Sequence, residues 1–359
     1  MLAPQPEHLT EQLGSQRRTV DFDTFDIQLQ ELLRMLSEGQ ISVSPAYQRQ
    51  FRWNDERCSQ LIESLMLGIP VPNLFMATND DNTWETVDGV QCLSAIVKFA
   101  GDNALRSALG LGKSLVLRGL KKLESFNGLA FHSLPRTLQQ HVKTRPLRVV
   151  TLNDKSDEII RFDLFERLNT GGVLLTNQEI RDCVFHGRFA DMLDRLAALD
   201  DFLTVVRLSG RRKIDGTLEE CVLRFFAFFD RYQEFDHSVE EFLTDYMKDA
   251  SKNFDYCYRE AQFRSVFSKL VDVFPDGIRR PSRKGMTPLN LYEGIVVGAA
   301  LALEETDTLS TENLQEWMSS PELRSYTTGA TNSRPAVKGR IEFCRDRFLG
   351  MSYVPRFEA

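Results

Sequence analysis

Trp84-Glu85-Thr86-Val87-Asp88-Gly89-Val90-Gln91-Cys92-Leu93-Ser94-Ala95-Ile96 changes its hydrophobic period halfway along. Up to Val87 the residues are aromatic and β-branched, as in a strand. Beyond Gly89, Leu93, Ile96, Val97 and Ala100 recur at helical spacing. Asp-Gly at the change of period marks a strand-to-helix junction that presents a carboxylate and free backbone N–H groups, an arrangement that suits phosphate or a hydroxylated ligand. The same dipeptide also makes ordinary turns, and Asp caps helices for stability alone.

Upstream, Leu74 to Ala77 reads as a strand that a turn over 79–83 folds back onto Trp84 to Val87 as a hairpin. Ile69-Pro70-Val71-Pro72 forces an extended approach to it. A helix runs from Asn54 to Gly68 with a polar cap and acids in its first turn, a short strand covers Ile41 to Val43, and apolar spacing predicts a helix over 25–36 closed by Gly39. Downstream, residues 101–146 carry glycines at 101, 110, 112, 119 and 128 and form an excursion, after which Leu147 to Leu152 returns to the sheet as a strand. The rest is mainly helical, with helices expected over 156–169, 176–185, 189–199, 217–231, 239–251, 256–274, 288–304, 311–318 and 333–349, the last one amphipathic. The fold class is therefore α+β: a tail over 1–20, a small mixed α/β domain over 21–155, and a helical domain over 156–359 whose first part, 156–185, completes the site.

The composition is that of a globular protein, with 42% hydrophobic and 26% charged residues and a net charge of −7. A global excess of acid lowers the expectation of nucleic-acid binding without excluding a local basic strip. Cys58, Cys92, Cys183, Cys221, Cys257 and Cys344 form no C-x-x-C pair and do not cluster with the five histidines, so neither a disulfide framework nor a zinc site is expected, and a reducing cytoplasm is. The N-terminus is polar and contains Pro4 and Pro6, unlike a secretory leader. The longest apolar run, Ile295 to Leu303, is too short to span a bilayer and reads as a buried helix.

Three polar islands interrupt the apolar pattern. The first is Tyr47-Gln48-Arg49 with Phe51, Arg52 and Trp53, where cations and aromatics occur together. The second is Asp88-Gly89-Val90-Gln91. The third is Phe165-Glu166-Arg167-Leu168-Asn169-Thr170-Gly171-Gly172 followed by Thr176, Gln178, Glu179 and Arg181, in which glycines expose backbone N–H groups and Thr176 with Glu179 reads as a capping box. A well-capped helix corner accounts for the third island equally well, and Arg49 and Arg167 also fit as structural cations paired to Glu63, Asp88 or Glu179.

Taken in order, Pro45-x-Tyr47-Gln48-Arg49-x-Phe51-x-Trp53, Leu61-Ile62-x-Ser64-Leu65 with Ile69-Pro70-x-Pro72, Val87-Asp88-Gly89-x-Gln91, and Phe165-x-Arg167-Leu168-Asn169-Thr170-Gly171-Gly172 with Leu175-Thr176-x-x-Glu179-Ile180-Arg181 resemble the ParB-like N-terminal domain of GmrSD-type restriction systems. The resemblance covers residues 25–185. It implies a fold similar to ParB and sulfiredoxin, binding and hydrolysis of a nucleoside triphosphate with Mg²⁺, and a role in licensing cleavage of modified phage DNA. By the same resemblance Asp88, Gly89 and Gln91 occupy the signature turn, Tyr47, Gln48 and Arg49 face it, and Arg167, Asn169, Gly171 and Gly172 close over the ligand. Asp88, Gln91 and Arg49 are the expected catalytic residues.

The family turn reads Asp-Gly-Gln-Gln-Arg, whereas this chain has Val90 and Cys92 in the third and fifth places. A thiol cannot replace the fixed charge and the donors of arginine. Loss of an arginine that stabilises transferring phosphoryl charge costs ~10³-fold or more in rate, so binding can survive where hydrolysis fails. Cys92 as a nucleophile, its pKa lowered by the helix N-terminus, is the alternative use of that position. Neither a His-Asn-His pattern nor a Gly-x-x-x-x-Gly-Lys-Ser/Thr loop is present, so a separately encoded nuclease or effector is the expected partner. DNA contact is expected through the basic loops 207–213 and 279–284, with Arg334, Lys338, Arg340, Arg345 and Arg347 as a weaker third strip. The reading is a nucleotide-binding, DNA-directed specificity or regulatory subunit of an anti-phage restriction-type system, in the cytoplasm, with self-association open. The competing reading is a non-catalytic, antitoxin-like partner of a nuclease.

Overall fold

The computed structural model describes residues 22–43, 53–79, 81–152, 176–213, 215–280 and 285–352. Two compact units divide the chain between Leu174 and Leu175.

The first unit opens with strand β1 (Phe22–Gln28) and helix α1 (Leu29–Ser37). The single helix expected over 25–36 is thus corrected. Phe25, Ile27 and Leu29 satisfy a period of two as well as a helical one, and a continuous seven-residue ladder from Phe22↔Leu152 to Gln28↔Pro146 draws the first four residues of that span into the sheet. Asp26 faces Arg148 across the ladder and receives two hydrogen bonds from its guanidinium, at 2.9 and 3.0 Å. Next come β2 (Ile41–Ser42), α2 (Asp55–Leu67), β3 (Leu74–Thr78) and β4 (Trp84–Asp88). Helix α2 has the ends its sequence predicts. The Asn54 side chain accepts from the Arg57 N–H at 2.9 Å, Gly68 closes the helix at φ 72°, and Arg145 donates to the Met66 carbonyl at 3.1 Å, a cation at the negative end of the dipole.

Helix α3 (Val90–Ala100) is buried over most of its length. The excursion over 101–146 contains α4 (Asn103–Ala108), two single 3₁₀ turns and α5 (Arg136–Lys143). It is fastened to α2: Ser59 accepts from the Arg118 N–H at 3.1 Å, and Glu63 accepts from the N–H groups of Lys122 and Leu123, both at 2.8 Å. Strand β5 (Pro146–Leu152) then enters the sheet between β1 and β3, giving the order β1-β5-β3-β4-β2. The β3–β5 and β2–β4 pairs are parallel, and the β1–β5 and β3–β4 pairs antiparallel. Strands three places apart in a flat sheet are ~14 Å from each other. Phe25 of β1 and Trp84 of β4 reach across the intervening strands to stack with centroids 5.7 Å apart.

The second unit is helical where described: α6 (Asn177–Val184), α7 (Arg188–Ala197), α8 (Asp200–Val205), α9 (Thr217–Arg231), α10 (Val239–Lys252), α11 (Tyr256–Val273), α12 (Leu289–Glu305), α13 (Leu314–Ser319), α14 (Pro321–Thr327) and α15 (Arg334–Phe348). The short helices α8 and α14 offer too few turns to show a period. The helix expected over 156–169 lies outside the described residues. Together the units make the fold α+β. Among the described residues no helix is long and apolar enough to cross a membrane. Ile295 to Ala300 lies fully buried inside α12, except for a 2% exposed Ala300.

Close contact between α12 and α15 rests on glycine. A Cβ at Gly298 would come within 2.7 Å of the Arg345 nitrogen and of Cys344 Cβ, and one at Gly294 within 3.0 Å of the Arg340 carbonyl oxygen. The terminal helix is correspondingly buried instead of amphipathic at the surface: Val337, Ile341, Phe343 and even Arg340 are inaccessible. Two of the five cations of the third basic strip are thereby engaged, Arg340 with Glu293 and Arg345 with Asp346.

Arg340 is one end of a buried row of charges. Arg181 donates to Glu220 at 2.8 Å, Arg224 donates to Glu220 at 2.7 Å and also to Glu293, and Glu293 accepts in turn from Arg340. These contacts tie α6, α9, α12 and α15 together. Removing one member leaves its neighbours charged and desolvated, which costs about 3–5 kcal/mol. Glu293→Gln is therefore expected to lower the unfolding free energy of the second unit by about that amount, read from urea titration followed by circular dichroism. A loss below about 1 kcal/mol would show that the row is mechanically dispensable.

Candidate functional site

The junction quoted at the outset is built as its sequence suggests. Strand β4 ends at Asp88, Gly89 adopts φ 99°, and α3 starts at Val90. Glycine is required twice over at that position, because the conformation is left-handed and because a Cβ would meet Leu74 Cδ2 at 2.4 Å. The first N–H groups of α3 have no intrahelical acceptors and point out of the helix end.

Asp88 is half-buried. Its Oδ1 accepts from the Gly89 N–H at 2.7 Å, yet desolvation outweighs that bond and holds the carboxyl above the ordinary carboxylate range. Gln91 is half-buried as well, and its Oε1 accepts from the Trp53 backbone N–H at 3.3 Å. The end of the first island and the second island are therefore adjacent. Trp53 carries the Arg57 guanidinium over its ring at 4.6 Å, and its indole N–H is buried without an acceptor among the described residues. Sequence reading missed Arg57: it paired the aromatics with Arg49 and Arg52, whereas the cation on Trp53 comes from the first turn of α2. The residue spacing Trp53-x-x-x-Arg57, across a strong helix cap, was the available signal.

Cys92 sits on the inward side of α3, 7% exposed. Burial pushes its thiol up to about 11, with the Asp88 charge acting in the same direction. Burial thus opposes the lowering expected from the helix N-terminus and disfavours the thiolate that a nucleophile needs. Cys58, one wall away on α2, is likewise raised to about 11 by burial.

Tyr47, Gln48, Arg49, Arg167, Asn169, Gly171 and Gly172 lie outside the described residues, as do Phe51 and Arg52. Of the third island, Thr176, Gln178, Glu179 and Arg181 are described, and these belong to the second unit. Thr176 and Glu179 form the expected capping box, and the Thr176 hydroxyl donates to the Asp215 carbonyl at 2.7 Å. Arg181 enters the buried row of charges.

The basic loops also belong to the second unit, and it brings their roots together. Ile278 N–H donates to the Val205 carbonyl at 2.8 Å, Thr287 N–H to the Arg207 carbonyl at 2.9 Å, and Arg207 N–H to the Thr287 hydroxyl at 2.9 Å. Arg212 is exposed. Arg279 pairs with Asp276, and Arg280 turns inward to the Thr327 carbonyl and hydroxyl at 2.8 and 3.0 Å. Residues 281–284 lie outside the described set.

Among the described residues no group of three or more His, Cys, Asp and Glu side chains is placed to hold a metal. Mg²⁺ with a nucleotide needs less, one or two carboxylates beside the phosphates, and Asp88 at the open helix end fits that role.

The first unit is thus a mixed-sheet domain with an Asp-Gly junction opening onto a helix N-terminus. Residues 29–186 match the family described as the N-terminal domain of GmrSD restriction endonuclease. No curated protein matches the chain. The family segment runs beyond the boundary of the first unit and takes in α6 of the second.

Two outcomes follow. Since the charge on Asp88 is disfavoured in the folded state, the penalty is complete above its raised folded pKa and vanishes below the unfolded value of 3.8. Asp88→Asn is expected to raise the melting temperature at pH 7.5, with the gain shrinking as pH falls toward 4. Loss of stability at pH 7.5 would mean that the carboxylate is needed for the fold. In thiol labelling followed by mass spectrometry, exposed Cys257 is expected to react well before buried Cys58 and Cys92. Early labelling of Cys92 would restore it as a reactive group.

Proposed function

We propose that the chain is a nucleotide-binding, DNA-directed specificity or regulatory subunit of a restriction-type anti-phage system, with a nucleoside triphosphate at the turn from Asp88 to Cys92. The observation that carries this reading is Asp88, a carboxylate kept at the mouth of a helix against its own desolvation, inside a segment that matches a restriction-endonuclease family. Asparagine would make the same turn without that cost, which supports a use for the charge itself. Asp88 would hold Mg²⁺, which would supply charge neutralisation to the phosphates, while the α3 N–H groups would take phosphate oxygens and Gln91 would orient the ligand from its seat against Trp53. Gly89 lets the phosphates approach the backbone. Tyr47, Gln48 and Arg49 would face the ligand, and Arg167, Asn169, Gly171 and Gly172 would close over it.

Cys92 sets the level of hydrolysis. The buried thiol supplies no positive charge to a transferring phosphoryl group, so turnover is expected to be ~10³-fold or more below that of a turn with arginine. The joined roots of the two basic loops support a phosphate-backbone contact by residues such as Arg212, and cutting falls to a separately encoded nuclease. The same neutral thiol favours a second reading, a non-catalytic partner that restrains such a nuclease.

Binding and hydrolysis of the four ribonucleoside triphosphates with Mg²⁺, measured for this chain, Cys92→Arg and Asp88→Ala, separate the two. Expected are micromolar to millimolar binding by the chain, hydrolysis that rises sharply in Cys92→Arg, and loss of both in Asp88→Ala. If none of the three binds any triphosphate, the nucleotide reading is wrong and the restraining partner stands.

A further inference from the structure

The buried row of charges has three guanidinium groups and two carboxylates, in the order Arg181, Glu220, Arg224, Glu293, Arg340. Each end keeps one buried guanidinium N–H without an acceptor among the described residues, Nε of Arg340 and Nη1 of Arg181, but only Arg181 also lines a cavity. At the inner end Arg340 Nη1 donates to the Thr331 carbonyl at 2.6 Å. At the other end Arg181, 1% exposed, gives Nε to Gln178 at 3.0 Å and Nη2 to Glu220, but its Nη1 is buried and meets no acceptor among the described residues. Neighbouring Asp182 does not make up the charge, because burial raises its carboxyl to about 8 and leaves it mostly protonated at pH 7.

Arg181 lies in the wall of a cavity of about 500 Å³, together with Asn177, Glu220, Arg224, Ser238 and Glu240. The volume suits a small metabolite. Glu241, His237 and Asn332 also line it and are exposed. Glu240 and Glu241 occupy the first turn of α10, and the Glu240 charge reaches Arg181. A bare anion would be opposed by those carboxylates. A molecule with an oxyanion at one end and hydroxyl or amine donors at the other satisfies both walls.

We infer that this cavity is a binding site for a small molecule of that kind, its oxyanion seated on the unpaired edge of Arg181 and its donors on Glu240 and Glu241. Glu240 is half-buried and Glu241 exposed on the first turn of α10, so a rotation of these side chains admits the ligand oxygen to Nη1. Zwitterionic amino acids and sugar phosphates share this chemistry. The site lies entirely within the second unit and is independent of the nucleotide reading.

The test is calorimetric titration and thermal unfolding of the full chain with glycine, ribose 5-phosphate and inorganic phosphate, each against sodium chloride at matched ionic strength. Saturable binding of glycine or ribose 5-phosphate with a Kd below about 10 mM is expected, and the tighter of the two identifies carboxylate or phosphate as the oxyanion. Asn332→Trp, a bulky change at an exposed position, is expected to abolish binding with an unchanged circular dichroism spectrum. Arg181→Gln is expected to weaken it about tenfold or more. Asp88→Asn, in the other unit, is expected to leave it intact. Absence of saturable binding by all three probes, or undiminished binding in Asn332→Trp, overturns the inference, and inorganic phosphate binding that disappears only in Asp88→Asn assigns the anion to the signature turn instead.

Discussion

Desolvation of charge is the constraint on which both units turn. In the second unit it is met by alternation: each of Glu220 and Glu293 is shared by two guanidinium groups, so no carboxylate of the row is left alone in the core. The geometry this demands is strict. Four helices must keep their relative rotation, and the glycines of α12 let α15 come near enough for Arg340 to reach Glu293. Replacement of such rows by apolar side chains is often neutral or stabilising, so the row specifies an arrangement more than it adds stability.

In the first unit the same constraint is left only partly met. Asp88 has one backbone donor and too little water, and Trp53 presents a buried indole N–H to no acceptor among the described residues. Both lie where β4, α2 and α3 converge, around a glycine that no other residue replaces without strain. Polar atoms without full hydrogen bonding thus collect at one junction, whereas the buried carboxylate of Glu63 in the same unit is satisfied by two backbone donors.

Much of this was legible in the residues. Asn54 and Gly68 bracket α2, the change of period at Asp88-Gly89 placed β4 and α3, and Thr176 with Glu179 announced a capping box. Signals that needed partners were not. The first residues of 25–36 carry two periods at once, and only pairing with β5 decides between them. The cations of α15 look like a solvated face until α12 supplies Glu293. Cys92 at a helix N-terminus suggests a depressed pKa, but the packing that buries it and raises it is not written in neighbouring residues. Likewise nothing in sequence joins the roots of two basic loops some seventy residues apart.

The capping box on Thr176 and the entry of Arg181 into the charged row place the last stretch of the family segment in the second unit's core, through Asp215 and Glu220. The unit of descent and the unit of folding are therefore different pieces of this chain. A fragment cut where the family resemblance ends would carry Arg181 without the carboxylate that neutralises it, and a fragment cut where the fold divides would lose the final signature motif to its neighbour. Shuffling of this domain between proteins is consequently bound to carry α9 along or to find another acid for that arginine.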